Sequence, residues 1–236
     1  HSATHLLHHA LHEVLGAHVR QRGSLVGAHR LRFDFSHTGA MTTEEMVQVD
    51  QLVNRLIQSN EPIETRLMSF DAAVESGATA FFEEKYGDEV RVLAVGSEST
   101  ELCGGTHARA TGDIGLFKLI SEGAISSGVR RVEAVTGMDA VNWVQSRDTM
   151  LRATAEQLNV SPEQVTQRVE ALISDRKALQ TELAAAQTAA QVARASSSLD
   201  QARLVGEHKV LAVRLDGVPG RELRAIAETL RDKLGS

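Results

Sequence analysis

The sequence predicts an α+β fold, and three observations predict it. Segments that mix helical spacing with two-residue alternation, punctuated by glycine, fill residues 1–140. From 141 to about 206 the glycines vanish and Ala, Gln, Arg and Ser take over, the texture of a helical zone. Residues 207–236 then supply one strand and one helix, too little to close a core, and so read as the start of a further α/β domain. The expected organisation is therefore 1–140, 141–206 and 207–236.

Each element has a local reason. Leu6, Leu7, Ala10, Leu11 and Val14 recur at helical spacing over 2–16, and Gly16 suits the helix end. Leu31-Arg32-Phe33-Asp34-Phe35 alternates at period two, the pattern of a half-buried strand. Thr42 with Glu45 three residues on forms a capping box, and Met46, Val49, Val53 and Leu56 follow as a helical stripe before Pro62. Val90–Val95, Gly115–Ile120 and Arg131–Val135 read as strands. Ser161-Pro162-Glu163-Gln164 places an N-cap, a proline at the first helical position and a capping Gln, so a helix is expected to start there. Val165, Val169, Leu172, Arg176, Leu179, Leu183, Ala186, Ala190 and Ala193 then step by four and three, the seam of a coiled coil or helical hairpin that a partner helix must cover. Ala195-Ser196-Ser197-Ser198 ends it. His208–Leu215 reads as a strand, Asp216-Gly217 as a turn and Arg221–Leu234 as an amphipathic helix.

Composition narrows the function classes. Across 236 residues, 25 Lys plus Arg stand against 31 Asp plus Glu, a net charge of −6 that argues against nucleic-acid binding driven by bulk charge. Aromatic residues make up only 3%, which argues against a broad base-stacking platform. No apolar run approaches the ~20 residues of a membrane span, and no signal-peptide pattern opens the chain. A single cysteine makes no internal disulfide, so Cys103 is a buried hydrophobe, a reactive thiol or a metal ligand in a reducing compartment, by default the cytoplasm.

The chemistry concentrates in two short patterns. Nine of the ten histidines lie in the first 107 residues, and on a helical wheel His1, His5, His8 and His12 fall within about 60° of one another, opposite Leu6, Ala10 and Leu11. Histidines four apart on a helix point the same way, the spacing that lets two imidazoles grip one zinc ion; a solvated histidine face is the plainer alternative. Leu102-Cys103-Gly104-Gly105-Thr106-His107 puts a thiol and an imidazole four apart in a loop that two glycines allow to fold back. Together the pairs offer N, N, S and N, a borderline-soft set that suits zinc over magnesium or calcium. Periodicity alone does not choose among His1 with His5, His5 with His9, and His8 with His12.

Five blocks in order resemble the editing domain of bacterial alanyl-tRNA synthetase. They are His1-Ser2-Ala3-Thr4-His5-Leu6-Leu7-His8, Gln21-Arg22-Gly23-Ser24-Leu25-Val26, Leu31-Arg32-Phe33-Asp34-Phe35-Ser36-His37, Cys103-Gly104-Gly105-Thr106-His107, and the run from Ser127 to Gly137. The resemblance implies an editing domain of the type common to threonyl- and alanyl-tRNA synthetases, then a coiled-coil-like helical hairpin and the start of a C-terminal domain. It implies zinc (Zn2+) ligands at His1, His5, Cys103 and His107, with His8, His9 and His12 around them or at the surface. It also implies a hydrolase that removes serine or glycine wrongly attached to tRNA(Ala), within a parent enzyme that joins alanine to that tRNA using ATP and Mg2+ in a domain outside this chain. Zinc would polarise a water or orient the substrate amino group; four protein ligands fill a tetrahedral shell, so a catalytic water needs one to leave or the shell to expand.

A pocket that accepts serine and spares alanine needs a buried polar group for the extra hydroxyl, and Thr4, matched to a family pocket position, fits that task; helix capping is its bland alternative. Gln21, also matched, is expected to bind substrate or the terminal adenosine unless it is a polar strand edge. Arg22, Arg130 and Arg131 are expected to contact phosphate or to form a solvated basic edge. The chain is expected to be a fragment that begins on its first ligand and stops inside its C-terminal domain, and homodimerisation through the helical and C-terminal regions is a further expectation. The rival readings are a free-standing alanyl-tRNA editing protein and a noncatalytic, zinc-stapled dimerisation module.

Overall fold

Helix α1, Ser2–Leu15, ends at Gly16, whose φ of +108° is one that side-chain-bearing residues rarely adopt. Strands β1, Gln21–Val26, and β2, Leu31–Ser36, form an antiparallel hairpin. In β2 the alternation is realised: Leu31, Phe33 and Phe35 are buried while Arg32, Asp34 and Ser36 face outward. Helix α2, Thr43–Gln58, starts on the expected capping box, with the Glu45 N–H donating to Thr42 Oγ1 at 3.1 Å and the Thr42 N–H to Glu45 Oε2 at 2.8 Å. It buries Val49, Val53 and Ile57 at steps of four. Then come β3, Ile63–Ser69, α3, Phe70–Glu75, β4, Glu89–Val95, and β5, Ser99–Leu102, followed by a 3-10 turn, Thr111–Ile114, β6, Phe117–Ser126, and β7, Val129–Thr136. The computed structural model describes residues 1–75, 89–96, 99–215, 218 and 220–235.

Two antiparallel sheets organise the unit His1–Met150: one of order β1-β2-β7-β6, the other β3-β4-β5. A core of Leu6, Leu7, Leu11, Phe33, Phe35, Val49, Val53 and Phe117 joins α1 and α2 to the first sheet, and Leu93 and Val95 of β4 bring the second sheet into it. The opposite face of β4, Val90 and Val92, packs with Ala73 and Leu102 in a smaller cluster. Burial on both faces explains why β4 reads as a nearly continuous apolar run. The strand expected over Gly115–Ile120 starts two residues later and runs on to Ser126, because Gly115 caps the 3-10 turn with a φ of +71°, outside the extended region.

Helix α4, Gly137–Leu158, begins directly after β7. In the second unit, Leu151–Ser236, a 3-10 turn, Pro162–Gln164, precedes α5, Val165–Ser196, so the proline opens a tight turn rather than the helix itself. Of α5 only Ala195 is buried; Val169, Leu172, Leu179 and Leu183 are exposed, and among the described residues no helix covers that seam. Strands β8, Arg203–Val205, and β9, His208–Val210, pair as a hairpin, and α6, Gly220–Leu234, packs Ile226 and Leu230 against Ala195. The strand expected over His208–Leu215 is therefore confined to its first three residues, although Val213 and Leu215 still pack on the α5–α6 core. The expected Asp216-Gly217 turn lies outside the described residues.

Candidate metal centre

The His1 carbonyl starts α1 by accepting from the N–H groups of Thr4 and His5, at 2.9 and 3.2 Å. The helix is then buried almost all round: Ser2, Ala3, Thr4, His5, Leu6, Leu7 and His8 are each buried. Of the histidine face, expected opposite the apolar face, His5 and His8 are buried against β5 and the loop that follows it, whereas His1 is exposed and His12 half-buried. That loop, Cys103 to His107, is pinned from β4 by Arg91, whose Nε donates to the Cys103 carbonyl at 2.9 Å and whose terminal nitrogen donates to the Gly105 carbonyl. Gly105 is required by close approach, since a Cβ there would lie 2.6 Å from Cγ of His1.

His5, Cys103 and His107 converge, each offering one nitrogen or sulfur atom, all within 4.8 Å of one another. The His5 and His107 ring centroids are 5.3 Å apart. His1 stands outside this group, its ring centroid 6.0 Å from that of His107. The Ser2 hydroxyl accepts from the Ala108 N–H at 3.1 Å and lies 3.3 Å from His107 Nδ1, while His107 Nε2 is buried without a hydrogen-bond partner. Buried Glu101 bonds Nδ1 of His5, and its other oxygen is 3.5 Å from Nδ1 of His8. Neither Glu101 nor Ser2 is evident in the sequence, because each partner lies about a hundred residues away.

The cluster also sets its own charge. Burial alone would raise the Cys103 thiol, but His107, His5 and the Gly105 N–H overcome it and pull the thiol down to about 5. Burial would lower His5, yet Cys103 and Glu101 push it up to about 9. Without an ion this is a thiolate–imidazolium pair; an ion bound at His5 displaces that proton. A thiolate, two imidazoles and an orphaned buried Nε2 fit a borderline-soft divalent cation, and three donors leave a coordination position open.

Thr4 lies between His1 and His5 on α1, and its hydroxyl oxygen is buried with no hydrogen-bond partner. Gln21 is half-buried at the start of β1, its amide donating to Ser24 Oγ at 3.3 Å. Arg130 forms a two-pronged pair with Glu122, at 2.5 and 2.6 Å, and Arg131 one with Asp34, at 2.6 and 2.8 Å, so both guanidiniums have internal partners; Arg22 is exposed.

Residues 90–133, which carry most of β4, β5 and the cysteine loop, match the second additional domain of threonyl and alanyl tRNA synthetases. Over its whole length the chain is 49% identical to the alanine–tRNA ligases of Saccharophagus degradans and Burkholderia orbicola, spanning 27% of each, and 49% identical to that of Sphingopyxis alaskensis, spanning 28%. It thus corresponds in sequence to the part of alanine–tRNA ligase that contains the second additional domain, about a quarter of those relatives' length. Among the described residues no helix is long and apolar enough to cross a membrane.

Proposed function

We propose that this chain carries the proofreading site of an alanine–tRNA ligase, hydrolysing the ester of serine or glycine mischarged onto tRNA(Ala). The observation that carries the reading is the convergence of His5, Cys103 and His107, brought together from opposite ends of a hundred-residue segment. His5, Cys103 and His107 would hold Zn2+, leaving one position that a water, the substrate or His1, if its ring moves in from outside that group, would fill. When bound, zinc supplies a Lewis acid that can polarise a water or orient the substrate amino group.

The chain's own residues account for selectivity and order. Thr4 holds a buried hydroxyl that lacks a partner, a state that costs about 1–3 kcal/mol and that a serine hydroxyl relieves while an alanine methyl does not. Arg91 fixes the cysteine loop through its carbonyls. Gln21, at the β1 edge, is assigned to the substrate or terminal adenosine, and exposed Arg22 to phosphate. The domain assignment proposed is editing over 1–140, helical over 141–206 and a C-terminal α/β piece over 207–236. The exposed α5 seam supports pairing with a second helix, as in a homodimer. ATP-dependent attachment of alanine, with Mg2+, is assigned to the parent enzyme in the cytoplasm, outside these residues.

The test is hydrolysis of serine-charged tRNA(Ala) by a full-length ligase carrying this segment, with and without a chelator and with Cys103→Ala. Loss of more than about 100-fold in both cases, with aminoacylation retained, is expected. Equal rates throughout would remove the metal from the chemistry. Loss of folding and dimerisation together in Cys103→Ala would favour a zinc-stapled module instead.

A further inference from the structure

We propose that Glu101 is the positioning residue of the metal centre, holding His5 so that Nε2, and not Nδ1, is the nitrogen offered to the ion; this rests on the zinc reading above. Glu101 is 5% exposed, and a carboxylate taken out of water needs partners. It has one in His5 Nδ1, and its second oxygen lies 3.5 Å from His8 Nδ1 one turn further along α1. The placement follows from strand geometry. Glu101 pairs with Leu93 across β4 and β5, and extended backbone sends residues two apart to the same face, so Glu101 and Cys103 approach α1 together. Leu102, between them, turns the other way into the cluster with Ala73, Val90 and Val92.

A carboxylate only accepts hydrogen bonds, whereas a neutral imidazole has a single N–H to give. Glu101 therefore selects the His5 tautomer with the proton on Nδ1 and leaves the Nε2 lone pair for the ion, the outer-shell arrangement common to metal-bound histidines. Ser2 at His107 Nδ1 imposes no such choice, because a hydroxyl donates as readily as it accepts. Orientation of the centre is thus fixed from the His5 side.

The test is nitrogen-15 NMR of the Zn2+-loaded chain with labelled histidine, together with zinc competition against a chromophoric chelator and Co2+ absorption spectra of Glu101→Gln and Glu101→Ala. His5 protonated at Nδ1 and bound through Nε2 is expected. Glu101→Gln, which keeps an acceptor oxygen, should hold affinity within about tenfold, whereas Glu101→Ala should lose about 10–100-fold and shift the cobalt bands. Zinc bound through Nδ1 of His5, or an unchanged affinity and cobalt spectrum in Glu101→Ala, overturns this assignment alone. A native chain that takes up no zinc overturns it together with the metal reading. Should Glu101→Ala fail to fold, the native NMR spectrum and Glu101→Gln still decide.

Discussion

Helices α1 and α5 make opposite use of the same backbone. The 14 residues of α1 have their first two turns buried, polar residues included, and each buried polar atom there must find a partner or carry a cost. The 32 residues of α5 bury one alanine, and most of the others are exposed. The shorter helix is therefore the one that bears the candidate site: burial removes the competing solvent that would blunt an imidazole–thiolate pair, and the Thr4 hydroxyl is buried with no partner in reach. Length and periodicity say how a helix forms, whereas its covering decides what its side chains can do.

Damage to the core beneath α1 should cost the most. Phe33 is fully buried beneath it, with its ring centroid 5.6 Å from that of His8. Phe33→Ala is expected to cost about 3–5 kcal/mol, a large share of the 5–15 kcal/mol that stabilises a typical domain. Hydrogen exchange should show lost protection in α1, β2 and β7 and none lost in α6. Equal loss in both units would show that they unfold as one.

Zinc should act in the opposite direction, stabilising α1 and leaving α6 alone. At about 100 times its dissociation constant, a ligand that binds only the folded state adds about 2.7 kcal/mol. Adding zinc should raise protection in α1 and the Cys103 loop while leaving α6 unchanged; no change in α1 would count against binding there.

The pH dependence of the metal-free chain gives a smaller effect with a definite sign. Cys103 is lowered from 9.0 to about 5, so its contribution is absent below 5 and grows as pH rises; His5 is raised from 6.5 to about 9, so its contribution is complete below 6.5 and fades toward 9. Between about 5 and 6.5 the unfolded state binds both protons and the folded state one, so stability rises with pH. From 6.5 to 9 each state binds one proton, and the two trends cancel into a plateau. Denaturant midpoints measured from pH 5 to 9 should follow that rise and plateau, and Cys103→Ala should remove the rise.

What the sequence reveals depends on how far apart the interacting residues lie along it. The Thr42–Glu45 box and the Leu31, Phe33, Phe35 alternation were readable because their partners lie within a few residues or on one repeating face. Helical spacing left His1 with His5, His5 with His9 and His8 with His12 open, and of the set that the resemblance implies, His1 stands outside the group of His5, Cys103 and His107; the Cys103–His107 pair was readable for the same reason as the box, its members lying within five residues. Glu101 was not, because a lone acid in Ser-Thr-Glu-Leu looks like any solvent-facing strand position until β5 is laid against α1. The strand expected over His208–Leu215 stops at Val210 for a related reason: Leu211–Leu215 has strand chemistry, but β8 offers only Arg203–Val205 to pair with, and a ladder extends no further than its partner.

The mildest change tests the other half of the contrast. Leu179 is 63% exposed on the α5 seam, so Leu179→Ala removes little buried area and should alter folding stability by no more than about 0.5 kcal/mol, well below the core substitution. Leu183, 57% exposed and four residues on, lies on the same stripe. If the seam meets a second helix only on association, replacing both leucines with alanine should weaken self-association measured by sedimentation while leaving circular dichroism of the separated chains unchanged. A double variant that associates as before would place the dimer contact elsewhere and leave α5 a solvated spacer. A large loss of stability in a dilute sample, where no partner chain is present, would mean that α5 is covered after all, and the contrast with α1 would fail.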